Sequence, residues 1–307
     1  MDGIFNINKP SGVTSTQVVR TIKRLTGIKK VGHAGTLDPL ASGVLPICVG
    51  KATRIIEYLI NQDRSYRAGI NLGIETDTFD KEGFIVSNNI GYKIPSVAEI
   101  SNVLTFFVGD IEQIPPMYSA IKINGERLYD LARKGVSLKL EPRAVKVFEI
   151  SLLNWNNPYL DIKVECGKGF YVRSLANDLG KKLGMGAYLE RLTRLKHGSF
   201  DIENSIEYYS IEKIFDEGGS TDIIMDVDSA ITHLPRIEVD ARLEEDILNG
   251  RPIFASSEIP LGRPKEISRI YSKNNRFIGI IEFDDVVGAW CPKKVINMEV
   301  DQGQYAK

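Results

Sequence analysis

Hydrophobic residues near the start of the chain follow first a strand pattern and then a helical one. The apolar run at residues 3–8 predicts a strand, which a turn at residues 9–12 ends. The next apolar residues recur at helical spacing: Val18, Val19, Ile22 and Leu25. Thr14 or Ser15 is a suitable N-cap for this helix, and Gly27 is well placed to end it.

Strands and helices continue to alternate along the next hundred and fifty or so residues. The patterns predict strands at 66–72, 144–153 and 159–166, and helices at 52–60, 97–107, 126–134 and from Val172 to about Leu183. Several strands are joined by short turns instead of crossover helices. This favours an α+β fold with a mixed, largely antiparallel central sheet flanked by helices over a doubly wound parallel sheet.

The last quarter of the chain predicts a separate, β-rich unit. A polar, glycine-containing stretch at 216–222 is a candidate linker. The patterns beyond it predict a strand at 236–239, a helix at 241–248, and β-structure near 269–271 and 277–283. We therefore expect a large domain at residues 1–232 and a small C-terminal domain at 233–307.

The charge balance differs strongly between regions of the chain, although the net charge of the whole is −1. Residues 1–70 hold ten basic and four acidic residues, a balance of +6, whereas residues 201–250 hold three basic and fourteen acidic residues, a balance of −11. This asymmetry permits a polyanionic partner such as RNA on one side. Charged residues that simply coat solvated helix faces explain the counts at least as well.

The hydrophobicity of the chain and the pattern of its N-terminal residues predict the cellular location of the protein. No apolar run is long enough to span a bilayer, so no membrane association is expected. The N-terminal residues lack the basic and apolar segments of a secretory signal, so we expect a cytoplasmic protein. The three cysteines (Cys48, Cys166 and Cys291) are far apart in apolar segments, and we expect all three to be buried and free.

The sequence contains few candidates for catalytic chemistry. Its three histidines are scattered without metal-ligand spacing, and no glycine-rich nucleotide cradle is visible, so we predict neither a metal nor a cofactor. Asp38 follows two glycines and precedes Pro39, on a loop of restricted shape. Such a carboxylate can act as a nucleophile. From the local pattern alone, a purely structural aspartate that caps a turn is the better interpretation.

Five segments in the first two hundred residues resemble the motifs of the TruB family of tRNA pseudouridine synthases, in the family's order. The match includes the opening Gly3-Ile4-Phe5-Asn6-Ile7-Asn8-Lys9-Pro10-Ser11-Gly12-Val13-Thr14-Ser15 and the catalytic motif at 32–46 (GHAGTLDPLASGVLP). It continues through 66–73, 114–120 (IPPMYSA) and 169–175 (GFYVRSL). Five long motifs in register are far more specific than one short match.

The resemblance implies the fold, the reaction and the catalytic residue. Members of this family have a pseudouridine synthase fold, often followed by a small PUA-like RNA-binding domain, for which residues 233–307 have a suitable length. They isomerise uridine-55 in the T-loop of tRNA to pseudouridine, without cofactor or metal. By resemblance Asp38 is the nucleophile. The sequence leaves open whether it attacks the ribose carbon or starts a route through a glycal.

The resemblance also assigns residues to the uridine pocket, each with an alternative. Tyr66 matches the tyrosine that lies against the flipped base and has a possible role in proton transfer; it could also be an ordinary strand tyrosine. Arg173 matches the arginine that pairs with the aspartate; it could also be an exposed helix arginine. Tyr171 and Leu192 match residues that line the pocket. For Leu192 a core role is a strong alternative, since Leu189, Leu192 and Leu195 also fit an apolar helical stripe.

Other residues are candidates for contacts with the RNA outside the pocket. His33 matches a residue that contacts the displaced T-loop, and Lys9 would either contact RNA or support the catalytic loop, of which support is the better interpretation. A segment at 117–139 with five basic residues would form an arm that closes over RNA. The candidates for phosphate contacts are Lys23, Arg24, Lys29, Lys30 and Arg64.

Three functions remain open at this point. The expected one is a stand-alone enzyme on the T-arm of tRNA, a monomer without an obligatory protein partner. One alternative is a tRNA-binding or tRNA-folding module with little catalysis. The other is a pseudouridine synthase that acts on another RNA, as guide-RNA-dependent relatives do.

Overall fold

The computed structural model describes residues 1–89, 91–119, 122–123, 125–133, 135–136 and 138–297. The strands are β1 (Gly3–Lys9), β2 (Val31–His33), β3 (Ser42–Val49), β4 (Arg64–Leu72), β5 (Ile74–Thr76), β6 (Ile85–Asn88), β7 (Gly109–Gln113), β8 (Lys122–Ile123), β9 (Glu126–Arg127), β10 (Arg143–Asn156), β11 (Tyr159–Cys166), β12 (Ala187–His197), β13 (Phe200–Asp201), β14 (Ile206–Glu207), β15 (Arg236–Val239), β16 (Ile253–Phe254), β17 (Ile267–Ser272), β18 (Phe277–Asp284) and β19 (Ala289–Val295). The helices are α1 (Ser15–Thr26), α2 (Ile56–Ile60), α3 (Val97–Thr105), α4 (Leu128–Arg133), α5 (Val172–Lys182), α6 (Ile211–Asp216) and α7 (Ala241–Leu248).

A large mixed sheet forms the centre of the first part of the chain. Its order is β14-β1-β3-β12-β4-β11-β10-β7, with β2 added beside β3 and β13 beside β12. Strands β1 and β14 are parallel, as are β12 and β3, and the other pairs are antiparallel. The predicted α+β class with a mixed, largely antiparallel sheet is therefore confirmed.

Helix α1 begins and ends where the sequence predicts. The Thr14 hydroxyl accepts a hydrogen bond from the backbone N–H of Gln17, and the Gln17 side chain accepts one from the backbone N–H of Thr14, which completes a capping box. Gly27 ends the helix in the left-handed conformation, with φ of 69°. Val18 and Ile22 are fully buried against the sheet, so α1 is fixed to the core directly after the first motif.

A second, five-stranded sheet forms the C-terminal unit. Its order is β15-β17-β18-β19-β16, and its own apolar core includes Ile247 from α7 and Trp290 from β19. This curled, β-rich sheet fits the predicted PUA-like unit. Another apolar cluster joins the two units, since it contains Ile4 and Phe200 as well as Tyr271. The boundary between residues 232 and 233 stays a prediction.

The most consequential error in the sequence interpretation concerns residues 187–197. The helical stripe suggested by Leu189, Leu192 and Leu195 is wrong, because these residues belong to strand β12. The register of β12 against β4 shifts between Leu189 and Arg191. A bulge of this kind breaks strict alternation, so two leucines three positions apart can both be buried, and the spacing mimics a helix.

Three smaller expectations also need correction. The candidate linker at 216–222 contains the end of α6 and a 3-10 helix at Gly219–Thr221, and the next segment is fixed by a backbone bridge between Ile4 and Met225. The helix expected at 126–134 is shorter, because residues 126–127 form β9, and residue 134 lies outside the described residues. Cys48 and Cys166 are buried as expected, but Cys291 is only half-buried because its strand β19 lies partly open to solvent.

No helix in the described parts of the chain is long and apolar enough to cross a membrane.

His197, the last residue of β12, is a titratable residue of the core whose protonation state can be tested. It is fully buried, and its Nε2 lies 2.8 Å from the carbonyl oxygen of Leu59. Burial lowers its pKa well below 6.5, and the charges of Arg194 and Arg64 lower it further. Its contribution to stability is therefore complete above pH 6.5, the pKa in the unfolded chain, and decreases as the pH falls towards the folded-state pKa.

We expect the free energy of unfolding of the wild type to fall below pH 6.5 more steeply than that of His197→Gln. The difference in slope should approach about 1.4 kcal/mol per pH unit, the value for one proton. Denaturant unfolding of both proteins between pH 7.5 and 5 measures it. Parallel pH profiles for the two proteins would contradict the assignment of His197 as a neutral, buried group.

Candidate active site

The turn that carries Asp38 is held by the segment just before helix α1. The Ser15 hydroxyl donates to the carbonyl oxygen of Leu37 (3.0 Å), and the Ser11 hydroxyl donates to that of Leu40 (2.8 Å). The backbone N–H of Gly12 donates to the carbonyl oxygen of Pro39 (2.7 Å). The carbonyl groups of residues 37, 39 and 40 thus have hydrogen-bond donors in the first motif. Lys9 of the same motif supplies the donor for the carbonyl group of Ala41.

Lys9 supplies the contact to the fourth of these carbonyl groups. Its ammonium group is fully buried and donates to the carbonyl oxygens of Pro10, Val13 and Ala41, at 2.9, 2.6 and 2.5 Å. Burial lowers the pKa of Lys9 to about 8, while the negative charge of Asp38 acts in the opposite direction. Of the two roles considered for Lys9, support of the catalytic loop is the one that this geometry favours.

Arg173 joins the turn to helix α5. Its Nη2 lies 3.0 Å from Oδ2 of Asp38 and donates to the carbonyl oxygen of Tyr118 at 2.8 Å. The guanidinium is buried, with 6% of its side chain exposed, whereas 35% of the Asp38 side chain is exposed. Arg173 is therefore not an exposed helix arginine: it orients the carboxylate from below and leaves its outer side accessible.

A second carboxylate, that of Asp80, holds Arg173 from the other side. Its Oδ2 lies 3.3 Å from Nη1 of Arg173. Its Oδ1 accepts from the Thr78 hydroxyl (2.6 Å) and from the backbone N–H of Glu82 (3.0 Å). Phe79, directly before it, has φ of 64°, an uncommon conformation for a bulky residue. The loop before β6 is thus shaped to present this carboxylate to Arg173.

The residues around Asp38 line a cavity of about 540 Å³. Tyr66 reaches it from the middle of β4, Tyr171 from the N-terminus of α5 and Leu192 from β12. Gln113 fixes Tyr171 by two hydrogen bonds to its backbone, at 3.0 and 3.3 Å. A cavity with one accessible carboxylate, tyrosine rings and a leucine wall can hold a planar base beside a nucleophile.

Of the two tyrosines of the cavity, Tyr66 is buried and Tyr171 is half-buried. Burial raises the pKa of Tyr66, and the positive charges of Arg194 and Arg64 act against this rise. Burial also raises the pKa of Tyr171, and the positive charge of Arg173 acts against this rise. Both rings are therefore neutral near pH 7 and present apolar faces to whatever occupies the cavity.

Five of the seven predicted site residues meet in this cavity, and two do not line it. Asp38, Tyr66, Tyr171, Arg173 and Leu192 line it, whereas Lys9 lies beneath the turn. His33 is half-buried in β2, with a buried Nδ1 that has no hydrogen-bond partner among the described residues. Its contact with the RNA stays a prediction.

The predicted phosphate contacts are distributed widely. Arg64 lines the cavity, but Arg24 pairs with Glu212, and Lys23, Lys29 and Lys30 are exposed elsewhere. Of the five basic side chains in the expected arm at 117–139, only that of Lys139 is described, and it is exposed. The arm's closure over RNA thus falls largely outside the described residues.

The sequence interpretation missed Asp80 and Arg194. Asp80 follows Glu75 and Asp77 in a polar stretch that predicts an ordinary exposed loop. Arg194 was hidden by the false helical stripe in β12. The sequence pattern could have indicated Asp80, because three acidic residues lie close together after the end of a strand. Functional side chains often lie at such positions. No pattern in the sequence singles out Arg194.

Comparison with known proteins agrees with the site. Residues 23–172 match the model of the TruB family pseudouridylate synthase N-terminal domain. A tRNA pseudouridine synthase B from Dehalococcoides mccartyi is 43% identical over 295 residues, which cover 96% of each chain. One from Clostridium tetani is 44% identical over 280 residues, which cover 91% of this chain and 95% of the relative.

A solved structure extends the likeness to the whole fold. A chain in the crystal structure of a Cbf5–Nop10–Gar1 complex superposes with a TM-score of 0.72 at 26% identity, and the match covers 92% of this chain and 78% of that one.

Fold and site together define a pseudouridine synthase, an RNA-modifying isomerase. Within that class, the chain belongs to the TruB family of tRNA pseudouridine synthases. The resemblance stated from the five sequence motifs is confirmed.

Because Asp80 contacts Arg173, a substitution of Asp80 should lower the activity although Asp80 does not line the cavity. Asp80→Asn removes the negative charge that holds Arg173, so the guanidinium should shift and misplace Asp38. We expect kcat to fall by about 10²-fold, the cost of an ångström-scale displacement, with little change in KM for tRNA. Steady-state kinetics on tRNA measures both constants.

Asp77→Asn is the matched control in the same loop. Oδ1 of Asp77 accepts from the backbone N–H of Phe84 at 2.8 Å, and an asparagine oxygen can accept the same bond. This variant should keep its kcat. A normal kcat in Asp80→Asn, or an equal loss in both variants, would show that Asp80 does not position Arg173.

Proposed function

We propose that this protein converts uridine-55 in the T-loop of tRNA to pseudouridine and that the Asp38 carboxylate is the nucleophile. The observation that carries the proposal is the meeting of Asp38, Arg173 and Tyr66 in one cavity, from three separate elements. The relatives named tRNA pseudouridine synthase B supply the substrate class.

The geometry supports a base that leaves its stack before it reacts. Asp38 lines a cavity, so a base in a folded loop would have to flip out to enter the cavity and reach the carboxylate. The apolar faces of Tyr66 and Leu192 would receive the flipped base, and stacking on the ring offsets part of the unstacking cost.

The reaction is a rearrangement within one nucleotide. The bond between ribose C1′ and uracil N1 breaks, the base turns, and a bond forms between C1′ and C5. The proton at C5 is lost to water and N1 gains a proton, so no oxidant or reductant is consumed. Asp38 acts at the ribose, and the Tyr66 hydroxyl is the group at hand for the C5 proton.

RNA outside the loop would be held mainly by its phosphates. Arg143 and Lys168 are exposed residues on the rim of the cavity, and Arg64 lines its wall. Basic groups around an opening favour a polyanion without regard to sequence. The acidic region at 201–250 contributes no such groups to the cavity lining.

Three further features belong to this proposal. We propose that the protein acts alone as a monomer on the T-arm, although the structurally similar Cbf5 chain comes from a complex with Nop10 and Gar1. We propose that residues 233–307 form a PUA-like domain that assists RNA binding. The cytoplasmic location stays a prediction.

Release of tritium from the substrate tests the reaction and its position together. Unmodified tRNA labelled with tritium at C5 of its uridines is mixed with the purified protein and no added cofactor. We expect about one equivalent of tritium per tRNA to enter water, because only one C5–H bond is broken. A tRNA with cytidine in place of uridine-55 is the matched substrate and should release none.

The variant Asp38→Asn tests the nucleophile in the same assay. The amide keeps the size of the side chain, so tRNA binding should persist while release falls by more than about 10³-fold. Near-normal release in this variant would rule out Asp38 as the nucleophile. Release from the cytidine-55 substrate would move the reaction to another uridine.

The salt dependence of tRNA binding tests whether basic residues on the rim of the cavity contact phosphates. Lys168→Ala should weaken binding, and the slope of log K against log salt should become smaller by about one. Lys213→Ala removes an exposed lysine that pairs with Glu217 in the acidic region and should change neither value. Equal effects of the two substitutions would contradict the proposed position of the phosphates.

A further inference from the structure

Arg194 is a buried arginine to which the functions above give no role. Only 1% of its surface is exposed. Among the described residues, its hydrogen-bond acceptors are two backbone carbonyl groups, and no carboxylate forms an ion pair with it. Burial of a charge without a carboxylate partner is unfavourable, so the position of Arg194 is not explained by packing alone.

The backbone of Arg194 lies between the two strands that carry the site. It pairs with Gly43, at the start of the strand that follows the catalytic turn, and with Tyr66 on β4. The register of β12 shifts directly afterwards, between Arg194 and Lys196. Bulges of this kind redirect a side chain at functional sites. Arg194 thus lies where the strand from Asp38 meets the strand of Tyr66.

The guanidinium of Arg194 contacts both sides of the catalytic turn. Its Nε donates to the carbonyl oxygen of Val44 at 2.7 Å, and its Nη2 donates to that of Gly35 at 3.2 Å. These acceptors lie three residues before and six residues after Asp38. The same guanidinium lies near enough to Tyr66 for its positive charge to lower the pKa of the phenol.

Two glycines of the motif make this approach possible. A Cβ atom at residue 43 would lie 2.2 Å from the carbonyl oxygen of Arg194, and φ of Gly43 is +102°. A Cβ atom at residue 35 would lie 3.7 Å from Nη1 of Arg194 and 3.2 Å from His197, and φ of Gly35 is +90°. Gly43 is therefore required both by its conformation and by the close approach of β12, whereas Gly35 is favoured by its positive φ.

The charge of Arg194 reaches the titratable groups around the turn. Burial is the main cause of the lowered pKa values of Lys9, His33 and His197, and Arg194 lowers each of them further. For Tyr66, burial raises the pKa, and the positive charges of Arg194 and Arg64 lower it. Arg194 thus counteracts the effect of burial on the phenol.

We propose that Arg194 is a positioning residue of the isomerisation, which holds both ends of the Asp38 turn beside Tyr66. Its buried positive charge also favours loss of the Tyr66 phenol proton. This inference rests on the proposed roles of Asp38 and Tyr66.

Two substitutions at residue 194 and one control separate this role from general packing. Arg194→Met keeps the length and loses the charge, and Arg194→Lys keeps the charge and loses the fork of donors. Arg191→Met, on the same strand, removes an exposed arginine that pairs with Asp161 at 2.7 and 2.8 Å. This control should keep the wild-type rate.

Single-turnover kinetics on tRNA gives the first readout. We expect the rate of Arg194→Met to fall by about 10²-fold and that of Arg194→Lys by less, with the Kd for tRNA unchanged in both. A wild-type rate in folded Arg194→Met, or a loss that lies entirely in Kd, would overturn the proposal. If Arg194→Met does not fold, Arg194→Lys carries the same test.

The second readout needs no RNA, so it is independent of the proposed substrate. 3-Fluorotyrosine is placed at residue 66, where its phenol ionises at lower pH than that of tyrosine, and fluorine NMR follows its titration. We expect a higher pKa in Arg194→Met than in the wild type and no change in Arg191→Met. An unchanged titration would overturn the proposal, whereas a shifted titration in a protein inactive on uridine-55 would contradict only the proposed function.

Discussion

The structure of the site depends on a set of hydrogen bonds to the backbone of one short turn. The carbonyl groups of Leu37, Pro39, Leu40 and Ala41 point towards the segment between Lys9 and Ser15, and each finds a donor there. A buried carbonyl group without a donor costs about 1–3 kcal/mol. The first motif therefore fixes the backbone conformation of the second motif. This explains why both motifs are long and lie close together in the sequence.

A rigid turn alone does not direct the carboxylate. Asp38 receives its orientation from Arg173, which Asp80 in turn holds from a strained loop. The chain of contacts thus runs from β1 through the turn and α5 to the loop before β6. Of the three charged side chains in this series of contacts, those of Arg173 and Asp80 are buried. The side chain of Asp38 is accessible from the cavity. Burial keeps the supporting charges in place, and the Asp38 carboxylate stays accessible, as the proposed nucleophile must be.

Much of this could be predicted from the sequence, and the exceptions have physical causes. Helix α1 and strand β4 follow from local signals, namely an N-cap followed by apolar residues at helical spacing, and a strand-like apolar run. Asp38, Tyr66 and Arg173 were found through motif resemblance, since the local pattern at Asp38 favours a turn cap. Arg194 could not be found, because a bulge gave β12 a helical spacing. Its partners are also backbone atoms brought close only by the sheet, and no residue type encodes such partners.

A crystal structure of Asp38→Asn bound to an unmodified T-arm hairpin would show whether the Asp38 carboxylate acts on a flipped uridine-55. We expect the ribose C1′ of uridine-55 to lie within about 3.5 Å of the residue-38 side chain, with the base against the ring of Tyr66. A uridine-55 that remains stacked in its loop, or a different nucleotide in the cavity, would contradict this expectation.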